Sequence, residues 1–259
     1  MTVKDLYDLI DQAAPFESQA DFDNSGLLVG SASQEVTGIL FALDVTERVI
    51  DEAVSLGVQL IITHHPLMFS PIRSLTEDNY ESRLIRRLIH ADISLIAAHT
   101  NLDQAPGGIN DVLAEICGLT DISGTGFFRS GMLSSPVTAK EYASFLRKQL
   151  QGDVRLMGPD SVLIRKVGLC SGGGGDEWPA AKENGCDAFI TGEIRHHQCL
   201  AMADSGIVGF ECGHFHTEEP GIRLFASALQ KAINTIECNM RIYVSGVSAY
   251  SFPGNRDRR

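Results

Sequence analysis

The stretch Leu60-Ile61-Ile62-Thr63-His64-His65-Pro66-Leu67-Met68-Phe69 decides how the chain folds. Its β-branched apolar run follows a helix-like segment and Gly57, and reads as a buried parallel strand. Two histidines end it. Pro66 then removes a ladder donor and pushes His65 towards extended geometry. In open α/β sheets, ligands bind beyond the carboxyl ends of strands, which is where this pair falls. Neighbouring side chains on a strand point to opposite faces, so adjacent imidazoles rarely share one ion. At a strand end they can serve two ions lying side by side. An isolated His-His pair reads equally well as a satisfied pair on a loop. The other histidines weigh against that.

Upstream, Thr2 to Ala14 has a helical period of apolar positions with Thr2 as cap. Asp23-Asn24-Ser25-Gly26 is a turn, followed by the short apolar run Leu27-Leu28-Val29. Val36 to Val45 reads as a strand, and Thr46 caps a helix that Gly57 stops. Downstream, Ser82 to His90 is helical, Ile93 to Ala98 a buried strand and Asn110 to Cys117 a helix. This alternation predicts a mainly parallel sheet covered by helices. Ser123-Gly124-Thr125-Gly126 opens a weakly patterned stretch to Pro136, which marks the boundary between domains 1–128 and 129–259. The second half alternates again. Helices are expected over Thr138–Leu150, Asp176–Asn184, Arg195–Asp204 and Pro220–Ile233. Strands are expected over Val154–Met157, Val162–Cys170, Cys186–Ile190, Ile207–Glu211 and Arg241–Ser245. The expected fold is α/β, with two packed α/β domains and mainly parallel sheets, and a cleft between them would explain why the reactive-looking residues split between the halves.

The 259 residues suffice for one large or two smaller domains with ample core. Net charge is 21 − 33 = −12, which argues against an extended phosphate-backbone footprint. With only 7% aromatic residues, it also disfavours single-stranded nucleic-acid binding. The N-terminus carries acids early and has no long apolar core, so no signal peptide is expected, and no apolar run is long enough to span a bilayer. The expected location is cytoplasmic. The six cysteines (117, 170, 186, 199, 212 and 238) form no C-x-x-C pair and read as buried free thiols. Cys212, two residues before His214, has a minor alternative as a metal neighbour.

Seven of the eight histidines fall into four groups: His64-His65, His99, His196-His197, and His214 with His216. Apart from Arg195 to His197, which opens a helix, the groups follow apolar strands. Ser94-Leu95-Ile96-Ala97-Ala98-His99-Thr100-Asn101-Leu102-Asp103 repeats the logic of strand, histidine and then a carboxylate in a loop. Ile207-Val208-Gly209-Phe210-Glu211-Cys212-Gly213-His214-Phe215-His216-Thr217-Glu218 repeats it again. Strand ends carrying imidazoles and carboxylates are what a metal site at a sheet edge requires, with Zn, Fe, Mn or Ni as suitable ions.

Thr63-His64-His65-Pro66-Leu67, His99-Thr100-Asn101-Leu102-Asp103, Thr191-Gly192-Glu193 with His196, and Gly213-His214-Phe215-His216-Thr217-Glu218 resemble the signatures of the Ngg-one-interacting factor three family. Its bacterial members include type 2 homologues of GTP cyclohydrolase I, also described as dinuclear metal-centre proteins. Asp23 to Gly30 and Ser171 to Gly175 join the match, so the resemblance covers nearly the whole chain. It implies His64, His65, Asp103, His214 and Glu218 as ligands of two divalent cations per subunit. It also implies two α/β domains with the metals between them and a ring-shaped homohexamer. The chain is of the short form, without the inserted domain of longer members.

Two cations on such donors leave positions for water and suit hydrolysis of a C–N, amide or phosphoester centre. The expectation is a metal-dependent hydrolase of a nucleotide-like or phosphorylated small molecule. A non-catalytic metal-trafficking protein or a partner-binding ring is the alternative. His99 and His196 read as metal-orienting or acid/base residues, or as surface histidines. Glu193 could orient His196 or touch substrate, or serve as an acid at a helix N-terminus. The run Ser171 to Gly175 could bring backbone N–H groups to an anion, or form a flexible turn. His90 reads as a cation at a helix C-terminus.

Overall fold

The apolar runs and capped helices assemble two separate sheets in a computed structural model that describes residues 1–235 and 239–248. The strands in chain order are β1 (Gly26–Val29), β2 (Gly38–Ala42), β3 (Leu60–Thr63), β4 (Ser94–Ala97), β5 (Leu119–Ser123), β6 (Arg129–Thr138), β7 (Arg155–Met157), β8 (Leu163–Leu169), β9 (Ala188–Thr191), β10 (Val208–Glu211) and β11 (Arg241–Val244). The helices are α1 (Val3–Ala13), α2 (Glu47–Leu56), α3 (Tyr80–His90), α4 (Thr100–Gln104), α5 (Ile109–Ile116), α6 (Ala139–Leu150), α7 (Trp178–Glu183), α8 (His196–Ser205) and α9 (His214–Thr235).

Contacts divide the chain into one unit made of residues 1–102 and the chain from 222 onward, and another made of residues 103–221. The sequence alone suggests a single cut after residue 128. The division is discontinuous because β11 pairs in parallel with β2, from Arg241 beside Gly38 to Val244 beside Phe41. No local pattern announces a partner some two hundred residues away.

In the first unit the sheet order is β1-β4-β3-β2-β11, parallel except for β1. Strands β2, β3 and β4 are buried at every position, which explains their unbroken apolar runs. Thr46 caps α2 by accepting the Val49 N–H at 3.2 Å, and Gly57 ends it in the left-handed region at φ 61°. Val49, Ile50 and Ala53 of α2 pack with Leu84, Ile85 and Leu88 of α3 in the core of this unit.

The second sheet runs β5-β6-β8-β9-β10-β7. Only β8, β9 and β10 pair in parallel; the other three pairings are antiparallel, so this sheet is mixed rather than mainly parallel. The weakly patterned stretch from Ser123 to Pro136 is largely β6. Its register against β8 shifts between Met132 and Val137, which breaks the period-two alternation that would have revealed a strand.

Helix α9 begins at His214, six residues before the expected start, with Pro220 inside it. Proline at the first helical position is the usual sequence signature, which draws a reading towards Pro220. Here it sits in the second turn. The consequence is functional, because His214 and Glu218 become an i, i+4 pair on one helix face.

Cys117, Cys170, Cys186 and Cys212 are buried free thiols and Cys199 is partly exposed; Cys238 lies outside the described residues. Among the described residues no helix is long and apolar enough to cross a membrane. In α6 the Thr138 side chain accepts the Glu141 N–H while the Glu141 carboxylate accepts the Thr138 N–H at 3.0 Å. Thr138→Ala removes that reciprocal cap and is expected to lower unfolding free energy by about 1 kcal/mol in urea titration, with an unchanged m-value.

Candidate metal centre

The parallel registers carry the first group of side chains into place. Thr63 is opposite Ala97 across β3 and β4, and opposite Ala42 across β2 and β3. Continuing each strand past its end sets His64 beside Ala98, and sets His65 beside both His99 and Asp44. The hydrogen bonds follow that order. His64 Nδ1 donates to the Ala98 carbonyl at 2.9 Å, and His65 Nδ1 to Asp44 Oδ1 at 2.7 Å. His99 Nδ1 donates to Asp23 Oδ1 at 2.8 Å.

A carbonyl or an ionised carboxylate can only accept, so each of these rings carries a hydrogen on Nδ1, and in the neutral ring Nε2 is the nitrogen that can ligate. This arrangement is typical of metal-ligating histidines. His64 and His65 lie beyond the last ladder residue of β3, so strict alternation no longer applies. Their ring centroids are 5.0 Å apart, and that of His99 is 5.0 Å from His64 and 5.5 Å from His65. One ligand atom from each of the three lies within 4.8 Å of the others, close enough to hold a cation.

The Asp23 turn is part of this assembly. Its carboxylate, fully enclosed, takes His99 Nδ1, the Thr100 N–H at 3.0 Å and the Thr100 hydroxyl. Burial alone would raise its pKa, but the hydrogen bonds from His99 and Thr100 hold it well below the usual carboxylate range. Ser25 Oγ accepts the His99 N–H at 3.1 Å.

The second unit builds its group at three adjacent strand ends, those of β8, β9 and β10. Glu193 N–H donates to the Gly172 carbonyl and Gly213 N–H to the Gly192 carbonyl, each at 3.0 Å, extending the parallel ladders past the strands. His214 Nδ1 then donates to Glu193 Oε1 at 2.8 Å. Its Nε2 lies 3.1 Å from Glu218 Oε2, one helical turn on. A ring nitrogen lone pair and a carboxylate oxygen at that spacing both fall within coordination range of one cation, for which ligand distances are about 2.0–2.2 Å.

Gly172 makes the close approach possible. It sits at φ +55°, and a Cβ there would come within 1.9 Å of Glu218 Oε1 and 3.0 Å of His214 Nε2. Gly192 is equally confined, with the Gly172 carbonyl 2.5 Å from where its Cβ would be. Within the glycine run, Gly172 therefore serves tight packing beside His214 and Glu218. Asp103 is buried in α4. Its carbonyl accepts Asn110 Nδ2 at 3.1 Å, while Asn110 Oδ1 accepts the Ser171 N–H at 2.8 Å, tying Asp103 to the glycine turn.

The other candidates separate from these groups. His196 is exposed at the first position of α8, and the hydrogen-bonded partner of Glu193 is His214 instead. His90 ends α3 as expected. Burial pushes the Cys212 thiol up to about 12. Burial, and then the charges of Asp103, Glu177 and Glu218, push Cys170 up as well. Both are protonated thiols at neutral pH, as buried structural cysteines are. Asp44 is absent from the sequence-based candidates. Its signal is an acid placed just beyond the apolar strand β2, the same logic that marks the histidines.

Residues 1–249 match the family model described as Duf34/NIF3 (NGG1p interacting factor 3). The chain is 36% identical over 230 residues to a GTP cyclohydrolase 1 type 2 homolog from Clostridium perfringens (strain 13 / Type A), covering 85% of this chain and 88% of the relative. It is 36% identical over 256 residues to a GTP cyclohydrolase 1 type 2 homolog from Lactococcus lactis subsp. lactis (strain IL1403), covering 95% and 96%. Among solved structures it is similar to Staphylococcus aureus hypothetical protein SA1388, with a TM-score of 0.92, 29% identity and coverage of 98% of this chain and 99% of that one.

Asp44→Ala releases the His65 ring from its orientation, and is expected to weaken zinc binding about 10- to 100-fold in competition with a chromophoric chelator, without loss of fold. Gly172→Ala is expected to weaken zinc binding by displacing Glu218. Wild-type affinity in both variants would contradict the assignment.

Proposed function

The chain belongs to the Duf34/NIF3 (NGG1p interacting factor 3) family, and from that premise we propose that it is a dinuclear metal-dependent hydrolase acting on a nucleotide-like or phosphorylated small molecule. The proposed ligands are His64, His65, Asp103, His214 and Glu218. The observation that carries this reading is the set of Nδ1 hydrogen bonds, which leaves Nε2 of His64, His65 and His214 as the nitrogens that can ligate a cation. Five donors, two of them carboxylates, suit two divalent cations of the Zn, Fe, Mn or Ni class and leave coordination positions for water. Bound there, the cations would supply Lewis acidity for activating water and polarising the scissile centre.

The rest of the chemistry belongs to the side chains. Asp44 and Glu193 fix the tautomers of His65 and His214. Asp23, kept anionic, fixes the tautomer of His99, which leaves His99 Nε2 as the nitrogen that takes up a proton and passes it to a leaving group. His99 is therefore proposed as the acid/base residue and Glu193 as a positioning residue. His196 is proposed as a substrate contact, consistent with its exposure. A cytoplasmic homohexamer is the assembly proposed from the family resemblance.

The test is elemental analysis paired with turnover of GTP and a phosphoester panel before and after chelation. Two divalent ions per chain, activity lost on chelation and restored by defined metal, and loss of both metal and activity in Asp103→Ala are the expected results. Tight metal binding without turnover across the panel would overturn the hydrolase reading and favour a metal-trafficking or scaffold role.

A further inference from the structure

Two large apolar side chains stand in solvent beside the first imidazole group. Phe22 is 63% exposed and Phe69 50% exposed. Their ring centroids are 6.2 Å apart with the planes tilted by 52°. Phe69 also meets the His99 ring edge-on, at 6.2 Å and 79°. Both phenylalanines are held in place rather than carried on loose chain. Phe22 directly precedes Asp23, whose carboxylate is locked to His99 and Thr100. Asn24 Nδ2 donates to the Met68 carbonyl at 2.6 Å, which ties the Phe22 turn to the residue before Phe69.

Single exposed hydrophobics are common on protein surfaces, but two adjacent rings backed by an imidazole form a patch with a shape. Two aromatic side chains bury about 150–250 Å² each, less together than the roughly 800 Å² per partner that a stable protein interface buries. Its ring spacing lies within the 4.5–7 Å range over which aromatic groups attract. We propose that Phe22 and Phe69 form an aromatic platform that selects a planar heterocycle such as a purine, one ring stacking on its face and the tilted one meeting its edge, for the site at His64, His65 and His99. This deepens the hydrolase reading and rests on it. Aliphatic phosphoesters and simple amides offer no aromatic face to stack. Phenylalanine adds no hydrogen bond, so the platform selects flatness and leaves the edge groups of the heterocycle to other residues.

The test uses the metal-loaded full chain and two probes, GTP and inorganic triphosphate, measured by titration calorimetry. Phe69→Ala and Phe22→Ala are each expected to weaken GTP binding about five- to hundredfold, the range that base–aromatic stacking supplies. Triphosphate affinity and metal content stay at wild-type values, and Phe69→Trp retains GTP binding. The proposal is overturned if wild-type protein binds no GTP or binds both probes alike, or if the alanine variants bind GTP as tightly as wild type. It is also overturned if the double variant changes sedimentation coefficient, because the rings would then belong to a contact between copies. Ring discrimination with turnover that ignores chelation sinks only the hydrolase reading. Metal-dependent turnover without ring discrimination sinks only the platform.

Discussion

Each imidazole of the two candidate groups, one in each unit, has its Nδ1 hydrogen-bonded to an acceptor, and everything proposed for the protein depends on that constraint. Ala98 supplies a carbonyl, while Asp44, Asp23 and Glu193 supply carboxylates. A free imidazole flips between tautomers and rotates, whereas a ring held at Nδ1 presents Nε2 in a fixed direction. Cation affinity then costs little reorganisation, because the geometry exists before the ion arrives.

The sheets explain why these acceptors lie where they do. In a parallel sheet, residues just past the ends of neighbouring strands stay side by side, so a register set by apolar pairing also sets which polar groups meet. Ile61 with Leu95, and Leu40 with Ile61, are paired for burial reasons alone. Yet that pairing decides that Asp44 reaches His65. In the second unit the same rule works through glycine. With no Cβ at Gly172 and Gly192, the extended ladders approach closely enough to set Glu193 beneath His214 and Glu218 beside the turn.

Much of this is legible in the amino-acid order. The apolar runs ending in His64-His65 and His99, the Thr2 and Thr46 caps, and the stop at Gly57 all act locally, and all appear where local physics places them. What escapes a sequence reading is long-range or irregular. The pairing of β11 with β2 has no local signature, and the register shift in β6 erases its alternation. Pro220 conceals the true start of α9, and with it the helical spacing of His214 and Glu218. Asp44 and Asp23 look like ordinary turn acids until the strands beside them are known. Their importance comes from a neighbour in space, and the chain order does not name that neighbour.

The most direct test of this account is long-range ¹H–¹⁵N NMR of the histidine side chains, recorded before and during zinc addition. Before zinc, His64, His65, His99 and His214 should show the Nδ1–H tautomer; on addition, the Nε2 resonances of His64, His65 and His214 should shift while those of His90 and His196 stay in place. Nε2–H tautomers in the resting protein, or zinc-induced shifts at Nδ1, would contradict it.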